Sequence, residues 1–284
     1  MKATRIAMVQ MNAIVGESGQ NLETIAAFTR SAVDESAGVV CFPELSVSGY
    51  VRDTTSSAIA EPVPGPSTDR LVEIAREADG LVLAGLLEAG PDGRTYNTHV
   101  IASGTGLMGT YRKTHVAPVE AEGFSPGSEL DVFETDGLRI GLEICFDSHF
   151  PEASASLALQ GAEIIFVPHA SVGETHESKL ERWLLYLPAR AYDNAVYVAV
   201  CNQTGPNGRG DDFPGVTLVL DPLGRVIARS SGPEPQIVFA DLDPGTLEEA
   251  RADANMYFLP LRQPDLYGEP DPTERKASSE GPQG

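Results

Sequence analysis

Positive charge is scarce in this chain. Lys and Arg number 20 against 41 Asp and Glu, a net charge of −21 over 284 residues. Nucleic acids and anionic membrane surfaces are gripped by clustered Lys and Arg, so neither is an expected partner. The acidity otherwise bears on solubility. Lys2, Lys113, Lys179 and Lys276 are the only lysines, and one kept in the interior of such a chain would need a reason. Cysteine is nearly absent too. Three residues, an odd number in a chain of this size, argue against a disulfide framework and for a reducing, cytoplasmic setting. No apolar run approaches the roughly 18 residues of a membrane span. The N-terminus, Met1 to Gln10, turns polar too early for a secretory signal. The histidines, His99, His115, His149, His169 and His176, show no metal-ligand spacing. No metal or other cofactor is expected.

What is present is a large apolar fraction, 42%, enough for a sizeable core. Thr4–Met11 and Val39–Phe42 read as strands, the second wholly apolar as a buried strand should be. Asn21–Glu35 and Thr68–Ala78 carry helical spacing. Leu81–Glu88 is a strand, and Tyr96–Ala102 with Gly106–Arg112 forms a hairpin. Leu138–Ile144, Ala162–Pro168 and Ala195–Cys201 are further strands. Pro151–Gln160 is a helix, and Glu177–Asp193 a long one that Pro188 should kink or interrupt. Thr217–Asp221, Arg225–Arg229 and Ile237–Leu242 read as a late β meander. The alternation of strands and helices, with hairpins between, means α/β layers around a mixed sheet. Residues 1–265 show no break in composition and are taken as one domain. From 266 to 284 the chain is Pro, Gly, Ser and charge, an extended or disordered tail.

Three short motifs each follow an apolar strand. Val39-Val-Cys-Phe-Pro-Glu-Leu45, with Ser48-Gly49-Tyr50, puts Glu44 at a buried strand end. Tyr111-Arg-Lys-Thr-His115 puts Lys113 at the end of a hairpin strand. Leu142-Glu-Ile-Cys-Phe-Asp147, then Phe150-Pro-Glu152, puts Cys145 at a strand-to-helix turn. There the helix-start N–H groups favour a thiolate, which a thiol of ordinary pKa, about 8.5, needs at neutral pH. Cys41 and Cys201 lie in apolar strands and read as small core residues. Glu143 shares the side of its strand with Cys145 and faces either the site or an interface.

In that order the motifs resemble the nitrilase superfamily of carbon–nitrogen hydrolases. Phe124-Ser-Pro-Gly127, Gly161 to Pro168, and Trp183 through Asn202-Gln203 extend the similarity over about residues 4 to 260. The resemblance implies a four-layer αββα sandwich and a Glu44-Lys113-Cys145 triad. It also implies a second glutamate, for which Glu120 fits best and Glu122 is the fallback, and a homodimer or larger homo-oligomer. Tyr50, Phe146, His149, His169 and Trp183 are the candidate substrate-binding residues.

The implied chemistry is amide hydrolysis. Cys145 attacks the carbonyl carbon while Glu44 takes the thiol proton and returns it to the leaving nitrogen. Lys113, with the backbone N–H of Phe146, stabilises the oxyanion. Water activated by Glu44 then releases the acid from a thioester. Replacing Lys113 is expected to abolish turnover with little loss of fold. True nitrilases of the family typically carry Trp-Glu after the cysteine; Phe146-Asp147 resembles the amidase and carbamoylase branches. Ser148-His149 stands where carbamoylases usually place arginines. The expected substrate is a small neutral or mildly polar carboxamide. N-carbamoyl-amine hydrolysis, nitrile hydrolysis and acyl transfer use the same machinery, and a non-catalytic interaction protein is the reading that the intact triad disfavours.

Overall fold

Apolar residues on both faces of most strands require covering on both sides, and the chain supplies it. The computed structural model describes residues 1–135 and 137–267. The first half forms β1 (Thr4–Gln10), α1 (Ser18–Asp34), β2 (Val39–Cys41), α2 (Ser56–Ile59), α3 (Pro66–Ala78), β3 (Leu81–Ala89), β4 (Thr95–Ser103) and β5 (Gly106–Arg112). The second forms β6 (Val132–Thr135), β7 (Leu138–Leu142), α4 (Pro151–Leu159), β8 (Ile164–His169), α5 (His176–Leu184), α6 (Leu187–Asn194) and β9 (Tyr197–Asn202). It continues through β10 (Thr204–Pro206), β11 (Asp212–Pro214), β12 (Thr217–Leu220), β13 (Val226–Arg229), β14 (Gln236–Leu242) and α7 (Pro244–Ala252).

Two six-stranded sheets result, ordered β14-β1-β2-β3-β4-β5 and β13-β12-β9-β8-β7-β6. Each has three parallel strands in its middle, β1-β2-β3 and β7-β8-β9, flanked by antiparallel partners. Strand side chains alternate between faces. Met8, Cys41, Leu83, Ile140, Phe166, Ala199 and Cys201 point into the seam between the sheets. Their neighbours Ala7, Val9, Val40 and Val82 pack outward on Leu22 and Ile25 of α1 and Leu71 and Ile74 of α3. Ile165, Val167, Val198 and Val200 pack outward with Leu157, Trp183, Leu187 and Ala191 of α4, α5 and α6. The order of layers is therefore helix, sheet, sheet, helix, the architecture that the resemblance implies. Cys41 and Cys201 are buried core residues.

Two sequence expectations need correction. The helix over Glu177–Asp193 is two helices, broken at Leu185 and Tyr186, with Pro188 in the first turn of α6, where its missing N–H is no loss. The late meander is only the β12–β13 hairpin. β14 leaves for the other sheet and pairs with β1 along its whole length, Thr4 with Leu242 to Gln10 with Gln236. The crossing is tied down by the Gln10 amide, which donates to the carbonyls of Gly232 at 2.9 Å and Glu234 at 2.6 Å. Helix α7 and the β10–β11 hairpin have no counterpart in the sequence reading. The expected tail begins at 266; Leu266 closes a short 3-10 turn from Pro264, and beyond Tyr267 that expectation lies outside the described residues.

Candidate active site

Glu44 lies just past β2, where Pro43 ends the apolar run. The chain folds back over β3, with Leu45 in the left-handed region at φ 51° and the Val47 N–H bonded to the Gly85 carbonyl at 2.8 Å. Gly85 makes that approach possible: a Cβ there would stand 2.5 Å from the Leu45 nitrogen. Glu44 is wholly buried and every carboxylate bond is directed. Oε1 accepts from Lys113 Nζ at 2.9 Å and Asn97 Nδ2 at 2.7 Å, and Oε2 accepts from the Ala170 N–H at 2.7 Å. The Glu44 backbone carbonyl accepts from Gln203 Nε2 at 2.7 Å, joining the two sheets.

Lys113 follows β5 and is fully buried between two carboxylates. Its ammonium also meets Glu120, at 3.0 Å to Oε1 and 2.8 Å to Oε2. Glu120 sits on the short turn Pro118–Glu120, accepts from the Ala117 N–H at 3.1 Å and from the Tyr50 hydroxyl at 2.8 Å, and is buried. Glu122 is exposed, so of the two glutamates the fold brings Glu120 to Lys113. Because Lys113 is the cation between two buried carboxylates, its loss leaves negative charge without compensation, and the expected small effect on the fold no longer follows.

Cys145 sits on the elbow after β7 at φ 48°, a conformation costly for a residue with a side chain and familiar at nucleophile turns. Asp147 holds it there. Asp147 Oδ2 accepts from the Ile144 N–H at 2.9 Å and the Tyr111 hydroxyl at 2.8 Å. Oδ1 accepts from the His115 N–H at 2.7 Å and Thr114 Oγ1 at 2.9 Å, and pairs with His115 Nδ1 at 2.9 Å. One carboxylate thus binds the cysteine elbow to the strand end that carries Lys113. Sequence reading missed this, although Tyr111, Thr114 and His115 flank the lysine. It also missed Asn97, an amide in the strand read over Tyr96–Ala102, and Ser171, whose hydroxyl lies 3.4 Å from Cys145 Sγ.

The electrostatics follow from burial. Burial alone would lower the Lys113 pKa, but the adjacent Glu44, Cys145 and Glu120 hold it well above the usual lysine value. Burial raises Glu44 against the opposing pull of Lys113. Cys145 is pushed up to about 12 by burial and by Glu44, with Lys113 acting the other way. The thiolate that the sequence position suggests is therefore not favoured at rest: burial and the neighbouring carboxylate keep the Cys145 side chain a thiol at neutral pH.

The remaining candidates divide. Tyr50 is buried, its hydroxyl committed to Glu120 and its ring edge-on to Phe213. Trp183 is buried with its ring 4.8 Å from His169, which burial holds well below the ordinary histidine pKa. Phe146 is half-buried and His149 exposed beside Tyr186. Glu143 faces neither the thiol nor solvent: its carboxyl accepts from Ser154 Oγ of α4 at 2.6 Å. Among the described residues no cluster of His, Cys, Asp and Glu is placed to hold a metal ion, and no helix is long and apolar enough to cross a membrane.

Comparison with known proteins gives the family. The carbon–nitrogen hydrolase family profile matches residues 5–252, and the chain belongs to that family. It is 33% identical over 269 residues to an (R)-stereoselective amidase of a Pseudomonas species, covering 93% of each chain. It is 30% identical to the human omega-amidase NIT2, covering 94% of this chain and 98% of that one. Among solved structures it resembles an amidase of the nitrilase superfamily from Nesterenkonia sp. AN1, in complex with butyramide, with a TM-score of 0.75 and 29% identity over 89% of this chain and 95% of that one. The protein is a hydrolase of carbon–nitrogen bonds.

Proposed function

We propose that this chain is a cysteine amidase that hydrolyses a small carboxamide to the acid and ammonia through a thioester on Cys145. The observation that carries the reading is the burial of Lys113 between Glu44 and Glu120, with the charges of all three felt by a partly exposed Cys145 on a strained elbow. Glu44 takes the thiol proton as sulfur attacks the carbonyl carbon; its raised pKa suits a group that must then give the proton to the leaving nitrogen. Lys113 balances the oxyanion. Glu120 holds the Lys113 ammonium from the other side, and Asn97 fixes the Glu44 carboxyl. Ammonia leaves, water activated by Glu44 attacks the thioester, and sulfur recovers its proton. The Nesterenkonia amidase supports the choice of small amides: variants of it have been seen with acrylamide and butyramide, and one with the acetamide moiety of fluoroacetamide added at its active site cysteine.

A homo-oligomer, with a cytoplasmic setting, belongs to the same proposal. It is supported by apolar side chains left exposed along the outer helices, Leu159 of α4, Leu184 at the end of α5 and Leu185 just after it.

The test is ammonia release from acetamide, acrylamide and butyramide, beside N-carbamoyl amines and nitriles, with intact mass after acid quench. Wild type should release ammonia and carry an acyl adduct, and Cys145→Ala neither. Equal behaviour of the two proteins on every amide would end the amidase reading. Carbon dioxide release from carbamoyl amines alone would replace it by the carbamoylase.

A further inference from the structure

Ser171 and Cys145 are both partly open to solvent, and Cys145 feels the charges of the buried Glu44, Lys113 and Glu120. Ser171 Oγ lies 3.4 Å from Cys145 Sγ and 3.3 Å from His169 Nδ1. The serine is rigidly mounted. Its N–H donates to Asn202 Oδ1 at 2.9 Å, and its carbonyl accepts from Asn202 Nδ2 at 3.0 Å. His169 is buried, and among the described residues its Nε2 has no hydrogen-bond partner. Burial, and after it the charge of Lys179, keep the ring neutral at neutral pH. A neutral imidazole carries one N–H. If that proton were on Nε2 it would be a buried orphan donor, beside the Trp183 indole N–H, which is itself unpartnered and whose ring is 4.8 Å away. Orphan buried N–H groups are rarer and costlier than bare lone pairs. The proton therefore belongs on Nδ1, donating to Ser171 Oγ. The serine's own hydroxyl proton is then free to donate to the cysteine sulfur 3.4 Å away.

From this chain of donors, His169 Nδ1–H to Ser171 Oγ–H to Cys145 Sγ, we infer that Ser171 is a further catalytic residue, a fixed hydrogen-bond donor to the nucleophilic sulfur oriented by His169. The inference rests on Cys145 being the nucleophile. Ser171 keeps its proton throughout. The thiol proton passes to Glu44, the sulfur lone pair forms the carbon–sulfur bond, and the hydroxyl donates to the negative sulfur as it attacks. When water opens the thioester the carbon–sulfur bond breaks, its electron pair returns to sulfur, and the same donor is in place to receive it. Glu44 then returns a proton to the sulfur.

The test uses the whole protein and a probe that needs no turnover. Alkylation of Cys145 by iodoacetamide is followed by intact mass between pH 6 and 10, for wild type, Ser171→Ala and Ser171→Thr, with amide turnover measured beside it. A hydrogen bond to a charged group is worth enough that its loss should slow alkylation about ten- to a hundredfold at each pH. kcat should fall by a similar factor with KM little changed, and threonine, which keeps the hydroxyl, should restore both. His169→Phe, which preserves the ring against Trp183 but removes Nδ1–H, should slow alkylation by a smaller factor. An alkylation profile of Ser171→Ala that superimposes on wild type, or a threonine variant as slow as alanine, overturns the inference. A serine-dependent alkylation rate in a protein that hydrolyses no amide would uphold the donor and remove only the amidase.

Discussion

Replacing Lys113 by Met should destabilise the protein in a way that depends on pH, and the structure gives sign and size. In wild type the ammonium lies within 3.0 Å of both Glu44 and Glu120, and all three side chains are buried. Removing one partner from a buried charge cluster costs about 3–5 kcal/mol, because the remaining charges have lost their solvent without keeping their counter-ion. Glu44, whose carboxyl burial already raises, can respond by binding a proton, so its pKa rises further in the folded variant while staying at about 4.3 when unfolded. An acid whose folded pKa is raised contributes stability below its unfolded pKa and loses it as pH rises through the folded pKa. The deficit of Lys113→Met relative to wild type should therefore be smaller at pH 5 and widen toward pH 8, by up to about 1.4 kcal/mol per pH unit while that carboxyl is still protonated. Urea denaturation of both proteins at pH 5, 6.5 and 8 measures it. Adding Glu120→Gln should recover part of the loss at pH 8, since one buried negative charge is then gone. A deficit that is flat across this range, or below about 1 kcal/mol at pH 8, would refute the reasoning.

Two more outcomes follow from the elbow and its surroundings. Asp147→Asn places an amide N–H₂ where one oxygen now accepts only from donors; it should cost about 2–3 kcal/mol in urea denaturation and lower kcat more than KM, and unchanged kcat would show that Asp147 does not register Lys113 against Cys145. Burial pushes Glu143 up to about 8, so this acid's contribution to stability is complete below its ordinary pKa and is lost as pH rises through about 8. Glu143→Gln keeps the Ser154 bond without the titration, and its melting temperature should fall less than that of wild type between pH 6 and 9; parallel curves would place the titration elsewhere.

Much of this was legible beforehand because strands with two covered faces are written as unbroken apolar runs, and because turns are written in Pro, Gly and charge. The expected Val39–Phe42 and Ala162–Pro168 coincide in this way with β2, Val39–Cys41, and β8, Ile164–His169, and each motif stands at a strand end. The late strand Gln236–Leu242 was found, but not its sheet. Alternation specifies a pleated segment and says nothing of which edge will accept it, and here the seven-residue edge of β1 does.

The same division runs through the site. Glu44, Lys113 and Cys145 are each a weak signal alone; the order of their motifs, through its resemblance to the carbon–nitrogen hydrolases, makes them a triad of candidates. Only the packed molecule decided that Glu120 and not Glu122 reaches the lysine, that the Tyr50 hydroxyl is spent on Glu120, that Asp147 joins the two sheets, and that Ser171 stands beside the thiol. Each of those facts is a distance between residues far apart in the chain or on different turns. Such distances arise when two sheets close on one another and bury charges that must then find partners, and no local pattern encodes them.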